Sequence, residues 1–357
     1  MSTADLQISG TTARASAPVS NHLLEVSDLK MHFPVPGKRL LNGKSVLKAV
    51  DGVSFWIDPG ETLGLVGESG CGKSTLARAI VQLYSPTSGG VIFRGHELTT
   101  ARGMRLWQAR RQIQMIFQDP YASLNPRMTV YQILAEPLQN YGETRDLDAR
   151  LEELLNTVGL DASALYLYPH EFSGGQRQRI GIARALALNP ALVIADEPAS
   201  ALDVSIQAQI IKLLRDLQIK RQLSYLFISH DLSAVSLISH RVAVMYLGEI
   251  VELAPVPVIF SHPWHPYTEA LRSAVLSPDP KIERQKARIV LQGDIPSPLG
   301  RPTGCTFHSR CPYVFARCRD EKPPLREYAP GRWVSCHLME DQTTSSRPSS
   351  ESAAHFC

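Results

Sequence analysis

The sequence predicts an α/β fold with a mostly parallel core sheet, and three observations lead to this prediction. Apolar runs of strand length alternate with helical stretches between residues 21 and 262. The later runs are continuously apolar, as expected for parallel strands that are buried on both faces. A glycine-rich segment at 67–75 joins one such run to a helix.

The individual elements follow from these patterns in chain order. The predicted strands are the runs rich in β-branched, aromatic and other apolar residues, at His22–Val26, Ser54–Ile57, Thr62–Val66, Gln114–Phe117, Leu192–Ala195, Ser224–Ile228 and Arg241–Met245. The predicted helices are the stretches with a helical apolar pattern, at Ser74–Leu83, Ala149–Val158, Gln176–Ala187 and Ser205–Gln218.

Proline and cysteine mark a change of organisation after the α/β domain. Of 25 prolines, 14 lie in the last third of the chain, together with five of the six cysteines. Because proline-rich sequence breaks regular elements, we expect an irregular, cysteine-containing extension at 263–340 after a domain at 21–262. The two ends are predicted to be flexible tails, at 1–20 and 341–357.

Composition excludes several classes of protein. With 44% hydrophobic and 20% charged residues, the chain can bury a full core, which argues against wholesale disorder. A net charge of only +3 argues against a chain-wide nucleic-acid surface, and we expect no nucleic-acid partner. No apolar run reaches about 18 residues, and the N-terminal residues lack the features of a signal peptide, so we expect a cytosolic location.

The glycine-rich segment predicts a phosphate-binding loop. It reads GESGCGKST and lies between a strand and a helix, as the pattern G-x-x-x-x-G-K-[ST] requires. Glycines let backbone N–H groups turn towards a phosphate, and the helix N-terminus adds its positive end. Lys73 is expected to neutralise the β- and γ-phosphates, and Ser74 to offer its hydroxyl to Mg²⁺. The predicted nucleotide-binding residues are Gly67, Ser69, Gly70, Cys71, Gly72, Lys73, Ser74 and Thr75.

Two acidic residues end the apolar strand at Leu192–Ala195. Asp196 suits the Mg²⁺ shell, and Glu197 is expected to face the γ-phosphate and an attacking water. A general base at this position contributes about 10²–10⁴-fold to a rate. Alone, the pair also fits a strand capped by solvated acids; together with the phosphate loop it indicates an NTPase.

Polar residues at two further strand ends complete the predicted set. His230 follows the run Ser224–Ile228 and is expected to contact the γ-phosphate and to orient the base and the water. Alone it would be a surface or packing histidine. Gln118 follows the run Gln114–Phe117 and is expected to add a contact to Mg²⁺ or water.

A second glycine-rich helix start predicts that two chains share each nucleotide. It forms a second anion site, and one domain does not need two phosphate cradles for one nucleotide. A head-to-tail dimer does, because the loop of one chain then closes over the nucleotide held by the other. The residues of this second site are Ser173, Gly174, Gly175 and Gln176. Asp203, which follows the acid pair, is a further predicted nucleotide-binding residue.

Together these motifs resemble those of an ABC transporter ATPase over about 22–260. The segments similar to the Walker A, Q-loop, signature, Walker B, D-loop and H-loop are, in order, GESGCGKST, FQDP at 117–120, FSGGQRQR at 172–179, LVIADEP at 192–198, SALD at 200–203 and SH at 229–230. The narrower resemblance is to the ATPase subunit of oligopeptide and dipeptide importers, on HEFSGGQRQRI at 170–180, DEPASALDVSIQAQ at 196–209, HPYT at 265–268 and GCTFHSRCPYVFARC at 304–318. Phe172 replaces the commoner leucine of the signature.

The resemblance implies a P-loop NTPase that binds ATP and Mg²⁺. Glu197 would be the catalytic base and His230 the γ-phosphate sensor. Gln118, Ser74 and Asp196 would support Mg²⁺. The second glycine-rich segment would bind the γ-phosphate of the partner chain's ATP.

The resemblance also implies further parts of the site and of the assembly. Phe33 would stack on adenine, with a packed strand end as the alternative. A helical subdomain at about 121–189 would dock on permease coupling helices. The partners would be a second, identical or paralogous ATPase subunit, two transmembrane permease subunits and an extracytoplasmic substrate-binding protein, with this chain peripheral at the cytoplasmic face of the inner membrane.

Two other functions compete with peptide import. A non-transport ABC ATPase acting on nucleic acid or the ribosome typically carries a long coiled-coil insertion or two cassettes, and the sequence shows neither. A regulatory module that binds ATP without hydrolysis is disfavoured by the presence of both Glu197 and His230.

Four cysteines of the extension suggest a metal site. They follow the spacing C-x₅-C-x₆-C-x₁₇-C, without the C-x-x-C knuckle that is typical of structural zinc. Four thiolates can hold a [4Fe–4S] cluster, although ferredoxin spacings differ. The family resemblance places iron–sulfur ahead of zinc; four free thiols in a small core are the alternative. The candidate ligands are Cys305, Cys311, Cys318 and Cys336.

Overall fold

The computed structural model describes residues 21–35, 45–275, 280–285, 288–294, 296–297 and 299–341. The predicted tails at 1–20 and 341–357 lie outside these residues, apart from Asp341, which ends the last helix. The strands are β1 (Leu24–Val35), β2 (Ser45–Ile57), β3 (Thr62–Val66), β4 (Ser88–Phe93), β5 (His96–Glu97), β6 (Ile113–Ile116), β7 (Leu192–Asp196), β8 (Ser224–Ser229), β9 (Arg241–Tyr246), β10 (Glu249–Pro255), β11 (Arg326–Ala329) and β12 (Arg332–Val334).

The helices occupy the intervals between these strands and much of the C-terminal part. The α-helices are α1 (Lys73–Ile80), α2 (Gly103–Gln112), α3 (Pro120–Ser123), α4 (Val130–Asn140), α5 (Leu147–Thr157), α6 (Gly174–Leu186), α7 (Val204–Arg221), α8 (Leu232–Ile238), α9 (Val256–Ser261), α10 (Pro266–Ala274), α11 (Pro280–Gln285), α12 (Ala316–Asp320) and α13 (Leu338–Asp341). Two 3₁₀-helices lie at Ala162–Tyr166 and Pro169–Glu171. In the part of the chain that the structure describes, no helix has the length and apolar character needed to cross a bilayer.

The strands form two sheets of different character. The eight-stranded sheet has the order β11-β12-β10-β9-β3-β8-β7-β6, and its neighbours from β9 to β6 are parallel. The four-stranded sheet, in the order β2-β1-β4-β5, is antiparallel. The mixed sheets and intervening helices confirm the predicted α/β class. The antiparallel sheet was only partly predicted, because β1 and β2 contain register shifts and polar residues that interrupt the alternating pattern.

The parallel sheet separates two hydrophobic cores, because alternate residues of a strand face opposite sides. In β7, Val193 and Ala195 belong to one core, and Leu192 and Ile194 belong to the other. The first core also includes buried residues of α4, α5 and α6. All residues of β7 and β8 are buried, as their continuous apolar sequence predicts.

The C-terminal extension is joined to the main sheet. Strand β12 pairs with β10 through Glu252–Val334 and Leu253–Trp333, so β12 and β11 extend the sheet edge. Tyr267 and Phe307 lie in the first core, next to residues of the preceding domain. The domain boundary near residue 262 stays a prediction.

Candidate nucleotide site

The phosphate loop runs from the end of β3 to the start of α1 and depends on two glycines for its path. A Cβ on Gly67 would lie 2.1 Å from the carbonyl oxygen of Met245. A Cβ on Gly72 would lie 2.1 Å from the carbonyl oxygen of Ala49, and Gly72 has a φ of +107°. Gly72 caps α1 without a side-chain hydrogen bond, so no N-cap side chain competes with an anion for the first N–H groups of the helix.

Lys73 lies between the loop and the acid pair. Its Nζ donates hydrogen bonds to the carbonyl oxygens of Gly67, at 2.7 Å, and Glu68, at 3.1 Å. The same nitrogen lies 3.9 Å from Oε1 of Glu197. The Lys73 side chain is only 4% exposed, so its charge is held in a fixed position where a phosphate would be neutralised.

Ser74 and Asp196 form an oxygen pair beside the loop. The Ser74 hydroxyl donates to Oδ1 of Asp196 at 2.9 Å. Burial raises the pKa of Asp196, an effect that the Ser74 hydrogen bond opposes. A hydroxyl and a buried carboxylate are hard oxygen ligands of the kind that Mg²⁺ prefers, so the residues present fit the predicted ion.

Two further predicted residues, Gln118 and His230, both contact the carboxylate of Glu197. Its Oε2 accepts a hydrogen bond from Nε2 of Gln118 at 3.2 Å and lies 3.1 Å from Nδ1 of His230. Glu197 has a φ of +48°, which is strained for a residue other than glycine. Its N–H donates to the carbonyl of Ile228, which holds this turn against β8. The geometry thus aims one carboxylate at the phosphate loop.

A cavity of about 280 Å³ lies beside these residues. Phe33 lines it, and its ring meets that of Tyr84 edge-on at 5.8 Å. Phe33 therefore lines the cavity, as the predicted adenine contact requires, and also makes the packing contact of the alternative. The predicted residues around this cavity are Phe33, Ser69, Gly70, Cys71, Gly72, Lys73, Ser74, Thr75, Gln118 and Glu197.

The sequence did not indicate several residues that line the same cavity. They come from β2 and from the turn between β9 and β10, far from the loop in sequence, and they form no recognisable motif. These residues are Leu47, Lys48, Ala49, Leu247 and Gly248.

The second glycine-rich segment lies outside this cavity. None of the described residues that line the cavity belongs to Ser173–Gln176. The Ser173 hydroxyl accepts from the N–H of Gln176 at 3.3 Å, and Oε1 of Gln176 accepts from the N–H of Ser173 at 3.0 Å. This capping box starts α6. Ser173, Gln176 and Asp203, which precedes α7, are exposed, so they are open to another molecule.

Packing restricts the two glycines inside this segment. A Cβ on Gly175 would lie 2.6 Å from Cγ2 of Ile206, and a Cβ on Gly174 would lie 3.2 Å from Cδ2 of Leu202. The glycines therefore allow the start of α6 to lie close to the start of α7.

The four cysteines of the extension do not form the predicted metal site in this structure. Burial raises the pKa of Cys305 and Cys311 to about 11 and that of Cys336 to about 12, and the neighbouring thiols act in the same direction. Among the described residues, no group of three or more His, Cys, Asp or Glu side chains is placed to hold a metal ion. The arrangement of Cys305, Cys311, Cys318 and Cys336 therefore gives no support to an iron–sulfur cluster or to zinc.

The HPYT segment at 265–268 starts α10, and all four of its residues are buried. His265 is buried, and burial lowers its pKa to about 3. Its Nδ1 accepts from the N–H of Tyr267 and caps α10. Tyr267, by contrast, contacts the phosphate loop, because its hydroxyl accepts from the N–H of Glu68 at 2.9 Å.

Known proteins are similar to this chain in both fold and sequence. Residues 50–200 match the ABC transporter family, and residues 251–318 match the C-terminal region of oligopeptide/dipeptide transporters. A solved structure, the dimeric post-hydrolysis state of the ATP-binding cassette MJ0796 bound to ADP and Pi, superposes with a TM-score of 0.58 at 27% identity. The superposed region covers 65% of this chain and 98% of the MJ0796 chain.

Curated relatives match nearly the whole length. The oligopeptide transport ATP-binding protein OppF of Salmonella typhimurium is 52% identical over 308 residues, 85% of this chain and 92% of the relative. The oligopeptide transport ATP-binding protein AppF of Bacillus subtilis is 51% identical over 319 residues, 88% of this chain and 97% of the relative. The nucleic-acid-directed alternative is not favoured by these relatives. The chain belongs to the ATP-binding subunits of ABC transporters, in the oligopeptide/dipeptide importer family.

Proposed function

We propose that this chain binds MgATP and hydrolyses it as one ATPase subunit of a peptide importer. The observation that carries the proposal is the convergence of Gln118 and His230 on the Glu197 carboxylate, beside Lys73. Each group comes from a different strand end, so their meeting is a property of the fold and not of one segment.

The residues have distinct tasks in this reaction. Lys73 and the loop N–H groups bind and orient the phosphates. Glu197 takes a proton from the attacking water, and His230 orients both Glu197 and the γ-phosphate. Ser74, Asp196 and Gln118 would hold Mg²⁺, which neutralises charge on the phosphates when it is bound.

The proposal includes a second ATPase chain. Ser173, Gly175 and Gln176 lie outside the cavity of their own chain, and Ser173 and Gln176 are exposed. A partner's signature segment would supply the second anion site and close the nucleotide between two chains. The dimeric form of the MJ0796 cassette supports this arrangement.

Coupling to permease subunits is proposed at a groove next to the nucleotide site. This groove, about 590 Å³, lies between α1, β6 and α6. Gln118 lines both the groove and the nucleotide cavity. If Gln118 loses its contact with Glu197 after hydrolysis, its movement would therefore change the surface that a permease helix contacts in the groove. With two permease subunits and an extracytoplasmic binding protein, the chain would work at the cytoplasmic face of the membrane.

The substitution Glu197→Gln tests the proposed hydrolysis. It keeps the shape of the side chain but removes the base, so ATP binding is retained and turnover falls by about 10²–10⁴-fold. ATP should then trap the closed dimer, measurable by size-exclusion chromatography. Glu153→Gln, on the exposed face of α5, is a matched control with unchanged turnover. Rapid hydrolysis by Glu197→Gln would remove Glu197 from the mechanism.

The four thiols of the extension are not used in this mechanism. A [4Fe–4S] cluster at these thiols stays a prediction from the family resemblance. Metal analysis and a visible absorption spectrum of anaerobically purified protein test it. Iron with sulfide would support the cluster, and zinc would support a structural zinc site. The absence of both metals would support the alternative of four free thiols.

A further inference from the structure

One residue of the phosphate loop, Glu68, is held by the C-terminal extension. The two terminal nitrogens of Arg310 donate to the two carboxylate oxygens of Glu68 at 2.7 and 3.0 Å. The Arg310 side chain is 8% exposed and that of Glu68 is 25% exposed. A bidentate pair in a partly buried position restricts geometry more than an exposed ion pair does.

A second contact from the extension fixes the backbone of the same residue. The Tyr267 hydroxyl accepts from the Glu68 N–H at 2.9 Å. Tyr267 is fully buried, and its ring packs against Tyr246, at 4.7 Å, and Phe307, at 5.4 Å. The position of the hydroxyl is therefore set by a packed aromatic cluster.

Arg310 and this aromatic cluster belong to one tightly linked unit. The N–H of Arg310 donates to the carbonyl of Phe307 at 3.0 Å, and Phe307 is 1% exposed. The turn that presents Arg310 to the loop is thus anchored in the core by its own phenylalanine.

Glu68 passes this restraint to the loop lysine. Its carbonyl oxygen accepts from Nζ of Lys73 at 3.1 Å and from the N–H of Cys71 at 3.3 Å. Glu68 is therefore held through its carboxylate, its N–H and its carbonyl, and its carbonyl, together with that of Gly67, holds the Lys73 ammonium.

We propose that Arg310 and Tyr267 are positioning residues for the phosphate loop. They fix Glu68 and, through its carbonyl, Lys73, so that ATP meets a loop that is already ordered. Preorganisation of this kind lowers the cost of binding. Arg310 also neutralises a carboxylate that would otherwise stand unpaired beside a triphosphate. The inference rests on ATP binding at this loop, as proposed above.

The first test compares two arginines of the extension in the full-length chain. Arg310→Gln is expected to raise the Kd for MgATP roughly tenfold, equivalent to about 1.4 kcal/mol. Arg317→Gln is the matched control, because Arg317 donates to both carboxylate oxygens of Glu321, at 2.7 and 3.1 Å, and not to the loop. Its Kd should equal that of the wild type. Arg310→Lys, which keeps the charge without the bidentate fork, should fall between them.

A double-mutant cycle separates positioning from general stability. If Arg310 acts through Glu68, Arg310→Gln weakens ATP binding in the wild-type background but adds little in a Glu68→Gln background. Tyr267→Phe should raise Kd about threefold, or about 0.65 kcal/mol. Tyr225→Phe should leave Kd unchanged, because the buried Tyr225 hydroxyl has no hydrogen-bond partner among the described residues.

The outcomes distinguish the failure of this inference from that of the function. If Arg310→Gln and Arg317→Gln bind MgATP within twofold of the wild type, the positioning role is overturned while ATP binding stands. The positioning role is likewise overturned if Arg310→Gln only lowers the thermal midpoint, or if its effect is undiminished in the Glu68→Gln background. If the wild-type chain itself does not bind MgATP, the proposed function fails.

Discussion

Replacing Gly72 by alanine tests whether the phosphate loop depends on its close approach to β2. Gly72 has a φ of +107°, and a left-handed conformation costs an L-residue about 1–2 kcal/mol. The added Cβ would lie 2.1 Å from the carbonyl oxygen of Ala49. Backbone must then move, and overpacking typically costs about 1–3 kcal/mol. We therefore expect Gly72→Ala to lower the free energy of unfolding by about 2–5 kcal/mol.

Two other glycines isolate the contact from the backbone strain. Gly70, with φ +79°, and Gly142, with φ +71°, have nothing within 4 Å of an added Cβ. Alanine at either position should cost only the strain of about 1–2 kcal/mol. Thermal unfolding of the three full-length variants should therefore give the lowest midpoint for Gly72→Ala. An equal midpoint for Gly72→Ala and Gly142→Ala would refute the reasoning from close approach.

Two further substitutions address buried titratable groups. Asp196→Asn should raise the thermal midpoint of the nucleotide-free chain, because it removes a buried carboxylate whose pKa burial raises, yet keeps an acceptor for the Ser74 hydroxyl. It should also reduce ATP hydrolysis about 10–100-fold, because it removes a carboxylate from the proposed Mg²⁺ site. A lower midpoint would contradict this. His265→Asn should make the stability of the chain less sensitive to acid. Burial lowers the pKa of His265 to about 3, so below about pH 6.5 this residue binds fewer protons in the folded chain than in the unfolded chain. The folded chain therefore loses stability as the pH falls from about 6.5 towards about 3. At about pH 5 the loss in the free energy of unfolding is about 2 kcal/mol. Asparagine keeps the acceptor that caps α10 but does not titrate. Parallel curves of thermal midpoint against pH, between about pH 7.5 and 5, for the wild type and His265→Asn would count against the prediction.

The candidate site was predictable where its residues form contiguous motifs at strand ends. Lys73 and Ser74 follow a strand within one short pattern, and Glu197 and His230 each end an apolar run. Parallel strands bring such ends to one edge of the sheet. Local sequence therefore carried the information, and the observed contacts among Gln118, Glu197 and His230 follow from the sheet order.

Contacts between distant segments were not predictable in the same way. Glu68 and Arg310 are 242 residues apart in sequence, and the sequence around each residue contains no pattern that predicts the contact. Lys48 and Gly248 likewise reach the cavity only because β2 and the turn after β9 are folded against the loop. The short strands β4 and β5 were missed because half-buried, glycine-containing sequence at 88–97 has little apolar alternation.

The extension contacts two segments of the candidate nucleotide site, the phosphate loop and β2. At the phosphate end, Arg310 holds Glu68. At the end near Phe33, Arg301 donates to Asp51, at 2.9 Å, and to the carbonyl of Lys48, at 2.6 Å, and Lys48 lines the same cavity as Phe33. Residues beyond the composition change near residue 262 therefore contact both the phosphate loop and a strand that lines the cavity.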